Sequence, residues 1–135
     1  MPAVVVDTDV VSFEFKRDSR AELYHPHLIG KLLVISFMAL AELDLWALER
    51  GWGQRRKVSM EGYLRRYVVY PFSRGLCQRW AEATNSARRN GRPIQTGDAW
   101  MAATALALAV PLVTHNPRDY EGVDGLTVIS MTKQK

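Results

Sequence analysis

The sequence predicts an α/β fold: a twisted parallel sheet of four or five strands with helices on both faces. Two observations carry this. Short apolar runs at 3–6, 32–35, 67–70, 111–114 and 126–129 alternate with longer helical segments. The runs are continuous, without polar alternation, as strands buried on both faces require. The length of 135 residues suits a single domain spanning 1–135.

The elements follow in order. Val4-Val5-Val6 is β-branched and ends at Asp7, so the first strand stops there. Residues 10–16 read as a short helix. Residues 18–29 read as another, broken at His25-Pro26-His27, with the two histidines in a turn. Ser36 is a favoured cap for a helix that Gly51 ends. Residues 54–66 form an amphipathic, strongly basic helix. Pro71 stops the third strand, and Asn90-Gly91 closes a helix over 73–89. Residues 96–110 make a nearly all-apolar helix leading into the fourth strand.

Composition narrows the function classes. Hydrophobic residues make up 47% and charged residues 24%, which excludes disorder as the main state. The one cysteine, Cys77, cannot form an internal disulfide and reads as a small buried hydrophobe. The longest apolar stretch, 99–113, is shorter than the roughly 20 residues a bilayer span needs, so no membrane association is expected. No signal-peptide pattern opens the chain, and the expected location is cytoplasmic. Eighteen Lys and Arg face 14 Asp and Glu, a net charge of +4. Four acids gathered in one pocket would leave a basic surface suited to a polyanion.

Ligands of open parallel sheets sit beyond the carboxyl ends of the strands. Asp7-Thr8-Asp9 follows the first strand, and Ser36 and then Glu42 follow the second. Thr114-His115-Asn116 and Asp119 follow the fourth. Asp7 is either a helix cap or a pocket acid, with Asp9 able to cap in its place. Glu42 and Asp44 both lie among apolar helical neighbours, and periodicity does not choose between them. Asp98 opens the most apolar helix, with Thr96 as its cap. Met101, Ala102 and Ala105 on its face turn it inward. Asp119 sits in a turn after Pro117. Three or four acids converging with little nearby cation require a divalent metal. Oxygen donors without Cys or clustered His select Mg²⁺ or Mn²⁺, and such ions act mainly on phosphoryl substrates.

Four segments together resemble a PIN domain, and within that family VapC-type toxins of bacterial toxin–antitoxin pairs. They are residues 4–9, residues 35–43, Gly91-Arg92-Pro93-Ile94 with 97–105, and 112–120. The resemblance implies a metal-dependent endoribonuclease. Asp7, Glu42, Asp98 and Asp119 match the family's acidic quartet, with Thr8, Ser36, Thr114 and Asn116 as polar support; Glu42 is thereby chosen over Asp44. Metal would sit between Asp7, Asp98 and Asp119. The implied partners are an RNA substrate, a small antitoxin and a second copy in a homodimer. Asp9 and Trp46 depart from the small residues usual at their positions. Phosphate contacts are expected from Arg88, Arg89 and Arg92, and from the helix with Arg55, Arg56 and Lys57. His115 is expected to position RNA or face solvent.

Three rivals are weighed. Asp7-Thr8-Asp9-Val10-Val11 approaches the opening motif of haloacid-dehalogenase-like phosphatases, but Ala102 stands where their later acid belongs. A receiver module needs an Asp ending the third strand and a Lys ending the fifth; Tyr70-Pro71 and Ser130 are there instead. A PIN-fold nuclease of RNA processing, or a weak RNA binder, remains the alternative.

Overall fold

The structure, a computed structural model, describes residues 2–132. Five strands form one sheet: β1 (Ala3–Val6), β2 (Leu32–Ser36), β3 (Val68–Tyr70), β4 (Leu112–Val113) and β5 (Val128–Ile129). Their order is β3-β2-β1-β4-β5, and each neighbouring pair is parallel. The helices are α1 (Thr8–Lys16), α2 (Ala21–Leu28), α3 (Phe37–Glu49), α4 (Gln54–Leu64), α5 (Arg74–Arg89) and α6 (Thr96–Leu108). A 3-10 turn, Pro117–Tyr120, joins β4 to β5.

β1 is the central strand. Successive residues of a strand point to opposite faces, yet Val4, Val5 and Val6 are all essentially inaccessible. Both faces of the sheet are therefore covered, as the unbroken apolar runs predict. The chain builds outward from β1 to β2 and β3, then returns to place β4 and β5 on the other side. The reversal falls between β1 and β4. Such a switch point leaves a crevice at the carboxyl ends of the strands.

Local chemistry shifts several boundaries. α1 begins at Thr8, not residue 10, because Asp7 caps it. α2 runs unbroken through Pro26, which corrects the expected break and places His25 and His27 in its last turn. Pro26 removes one ladder bond close to the helix end, and the Ile29 N–H still reaches the His25 carbonyl. Gln95 occupies the N-cap of α6, so Thr96 is the first helical residue and not the cap. α6 stops at Leu108 because Ala109 turns left-handed at φ 56° and its N–H bonds back into the last turn. Gly91, at φ 70°, closes the loop after α5 in the conformation that favours glycine.

Candidate active site

Asp7 sits where β1 ends and α1 begins, and only 6% of it is accessible. Extended backbone there lets the carboxylate fold back, so Oδ1 accepts the Thr8 N–H at 2.8 Å. Oδ2 accepts two hydroxyls, from Thr114 and from Tyr120, each at 2.8 Å. Asp7 is thus both a helix cap and a pocket acid. Burial pushes its carboxyl above the usual range; the three donors oppose this, and the Asp119 charge adds to it.

Glu42 lies one turn into α3, and its Oε1 accepts the Thr8 hydroxyl at 2.6 Å. Partial burial, then the Asp7 charge, push its carboxyl up. Asp44 is exposed beside Ala47 and Leu48, away from the crevice. Asp98 opens α6 and is half-buried. Burial, then Asp7, Asp119 and Glu42, push its carboxyl up to about 7. Asp119 is exposed on the 3-10 turn, close enough for its charge to act on Asp7 and Asp98.

The supporting residues divide. Thr8 links Asp7 to Glu42, and Thr114 holds Asp7 while accepting the Asn116 N–H at 3.1 Å. Ser36 caps α3 through the Met38 N–H at 3.1 Å; its side chain bonds none of the four acids. Asn116 turns to Asp9, whose Oδ2 accepts its side-chain amide at 2.8 Å and the His115 N–H at 3.0 Å. Asp9 Oδ1 accepts the Val10 N–H at 2.7 Å. Burial, then Asp7, push the Asp9 carboxyl up to about 7. Asp9 thereby ties α1 to the end of β4, and both its oxygens are engaged, unlike those of a phosphatase acid/base. The His115 ring lies edge-on to Phe13 and Tyr24 and bonds the Tyr24 hydroxyl.

Tyr120 has no foretelling signal in the sequence. An aromatic after a turn reads as core, and its ring is indeed 2% exposed. Its hydroxyl nevertheless stands between Asp7 and Asp98, 3.4 Å from Asp98 Oδ1. Burial and both carboxylates push the phenol up, so it remains a donor.

Among the described residues no cation pairs with Asp7, Glu42, Asp98 or Asp119. Among the described residues the ion pairs are Arg20–Asp18, Arg79–Glu82, Arg89–Asp124 and Arg92–Glu121. Two of the three arginines expected to meet phosphate, Arg89 and Arg92, are thus occupied by acids, while Arg88 is exposed and outside these pairs. The donor set around the crevice is all oxygen, with the carboxyls of Asp7, Glu42 and Asp98 raised by burial and by their neighbours' charge. That chemistry fits a hard divalent cation. As the side chains stand, no three acids or histidines among the described residues converge tightly enough to share one.

Residues 4–126 match the family model for the PIN domain. The chain belongs to the PIN-domain family. Within it, the chain is 29% identical to Ribonuclease VapC1 of Haemophilus influenzae strain R2866, over 96% of this chain and 98% of that protein. It is 25% identical to the tRNA(fMet)-specific endonuclease VapC of Shigella flexneri, over 90% and 92%. VapBC-1 from nontypeable Haemophilus influenzae has a solved structure that superimposes with a TM-score of 0.78 at 27% identity, covering 97% of this chain and 99% of that one.

Proposed function

We propose that the chain is the toxin of a toxin–antitoxin pair, a PIN-domain endoribonuclease that cuts RNA phosphodiesters with carboxylate-bound Mg²⁺ or Mn²⁺. The observation that carries it is the buried Asp7 at the switch point, under the charges of Glu42, Asp98 and Asp119, with no ion pair to any of the four among the described residues. The likeness to VapC ribonucleases and to VapBC-1 supports the RNA substrate and an antitoxin partner.

Asp7, Asp98 and Asp119 would hold the ion, which supplies a water of lowered pKa and neutralises charge growing on the phosphoryl oxygens. The protein's own part is placement. Thr114 and Tyr120 fix one oxygen of Asp7 and leave Oδ1 only its Thr8 N–H. Thr8 fixes Glu42, whose role is to orient the attacking water.

The test is cleavage of single-stranded RNA with Mn²⁺, with and without excess EDTA, by the wild-type chain and Asp98→Asn. Cleavage is expected only from the wild type with metal. Undiminished cutting in EDTA would refute the metal reading, and undiminished cutting by Asp98→Asn would make Asp98 a mere cap. Co-expression with the small neighbouring gene product is expected to relieve growth inhibition.

A further inference from the structure

We propose that the basic hollow between the end of α1 and the first turn of α4 docks the phosphate backbone of the RNA, away from the bond that is cut. This rests on the ribonuclease reading and adds the path of the substrate. The hollow has a volume of about 580 Å³, and Lys16, Arg17, Arg55 and Arg56 line it together with Phe15; no carboxylate does. None of these four cations joins an ion pair among the described residues, nor does neighbouring Arg50.

Lys16, Arg56 and neighbouring Arg50 rest on aromatic faces instead. The Lys16 ammonium lies 4.0 Å from the centre of the Trp46 ring, and Arg50 lies 4.9 Å from the same ring. Arg56 lies 4.6 Å from Trp52 and 5.4 Å from Phe15. Such contacts hold the charges in place without cancelling them. Like charges gathered this way repel, and Arg50 and Arg56 both disfavour the charged form of Lys16. An anion relieves that repulsion.

The chemistry selects a nucleic acid. Several fixed cations spread over two helices suit a chain of phosphates. The half-exposed Phe15 adds to the hollow an apolar surface that a nucleobase can use and the carboxylates of an acidic peptide do not. The hollow and the crevice lie at opposite ends of α1. α1 starts just after Asp7 and ends at Lys16, a length of about 14 Å. Arg20, paired with Asp18, lies 4.1 Å over the Phe13 ring, which itself meets His115 at the end of β4, and its charge acts on Lys16. A strand lying across the crevice and past Arg20 reaches the hollow.

The experiment measures binding of a long fluorescein-labelled oligouridylate by anisotropy in EDTA, where metal-dependent cleavage is silent. The chains compared are the wild type, Arg17→Gln/Arg55→Gln, and Arg74→Gln as an exposed control. These positions are solvent-exposed, and unchanged melting is expected for all three chains. The double variant is expected to bind about tenfold more weakly. The slope of log affinity against log salt should be shallower by about 1.4, at about 0.7 for each phosphate that is no longer neutralised on a single strand. Arg74→Gln is expected to bind like the wild type. With metal added, cleavage of a dinucleotide too short to reach the hollow should be equal in all three. Unchanged binding by the double variant, an equal loss in Arg74→Gln, or displacement of the RNA by polyglutamate as readily as by unlabelled RNA would each overturn the proposal. A wild type that binds RNA through Arg17 and Arg55 but never cuts it would uphold the hollow and overturn the ribonuclease reading.

Discussion

Asp7 shows how one side chain answers two demands that the sequence presents as alternatives. Its first oxygen caps α1 and its second collects two hydroxyls, so no choice between cap and pocket acid is needed. Tyr120 is the part that residue types alone concealed, because a hydroxyl on a buried ring gives no periodic signal. Removing it in Tyr120→Phe keeps the packing and takes one donor from Asp7. A hydrogen bond to a charged group contributes about 2 kcal/mol. Stability from urea unfolding at pH 8 should fall by that amount, and an unchanged midpoint would mean the donor is idle. Asp98 makes a second prediction. Its carboxyl is raised to about 7 in the folded chain from an ordinary value of 3.8. The folded state therefore holds the proton more tightly, and stability from this group is complete below about pH 4 and lost as pH rises through 7. In EDTA the melting temperature should fall from pH 5 to pH 8, and Asp98→Asn should flatten that fall. A profile of equal slope in the variant would show that Asp98 is not the group responsible.

At the scale of elements, the strands and most helices were legible because continuous apolar runs and capping residues act locally. What was not legible depended on contacts between elements. Pro26 reads as a breaker in isolation, yet α2 continues through it because the lost bond lies near the helix end. Glu42 and Asp44 are equivalent by periodicity. Only the packing of α3 against α1 and α6 sends Glu42 to Thr8 and leaves Asp44 in solvent. Gly97 records the same packing. A Cβ there would lie 3.0 Å from Glu42 Oε2. Gly97→Ala should gain up to about 1 kcal/mol of helix propensity while displacing the Glu42 carboxylate. The expected result is an equal or higher melting temperature with slower RNA cleavage. Full activity in that variant would show that Glu42 has room to move without consequence.

For the whole molecule, setting aside the four acids of the crevice leaves 18 Lys and Arg against 10 Asp and Glu in the rest of the chain. The surface also carries apolar side chains the fold does not cover. Leu45 is 55% and Leu48 71% exposed on α3, and Ile29 is 79% exposed after α2. Exposed apolar side chains of this size suit a two-fold contact with a second copy. Light scattering at micromolar concentration should give a dimer, and Leu48→Glu should give a monomer; a wild-type monomer would refute the contact. The strand order has a consequence for the moment of synthesis. Asp7 and the hydroxyl that holds it, Tyr120, are 113 positions apart in the chain. At about 5–20 residues per second, a ribosome needs roughly 6–20 s to bring the second out after the first. Until then β1 has no β4 beside it, and the crevice does not exist. A nascent chain thus has no assembled site until Tyr120 has emerged, and cutting by an unfinished chain is not expected.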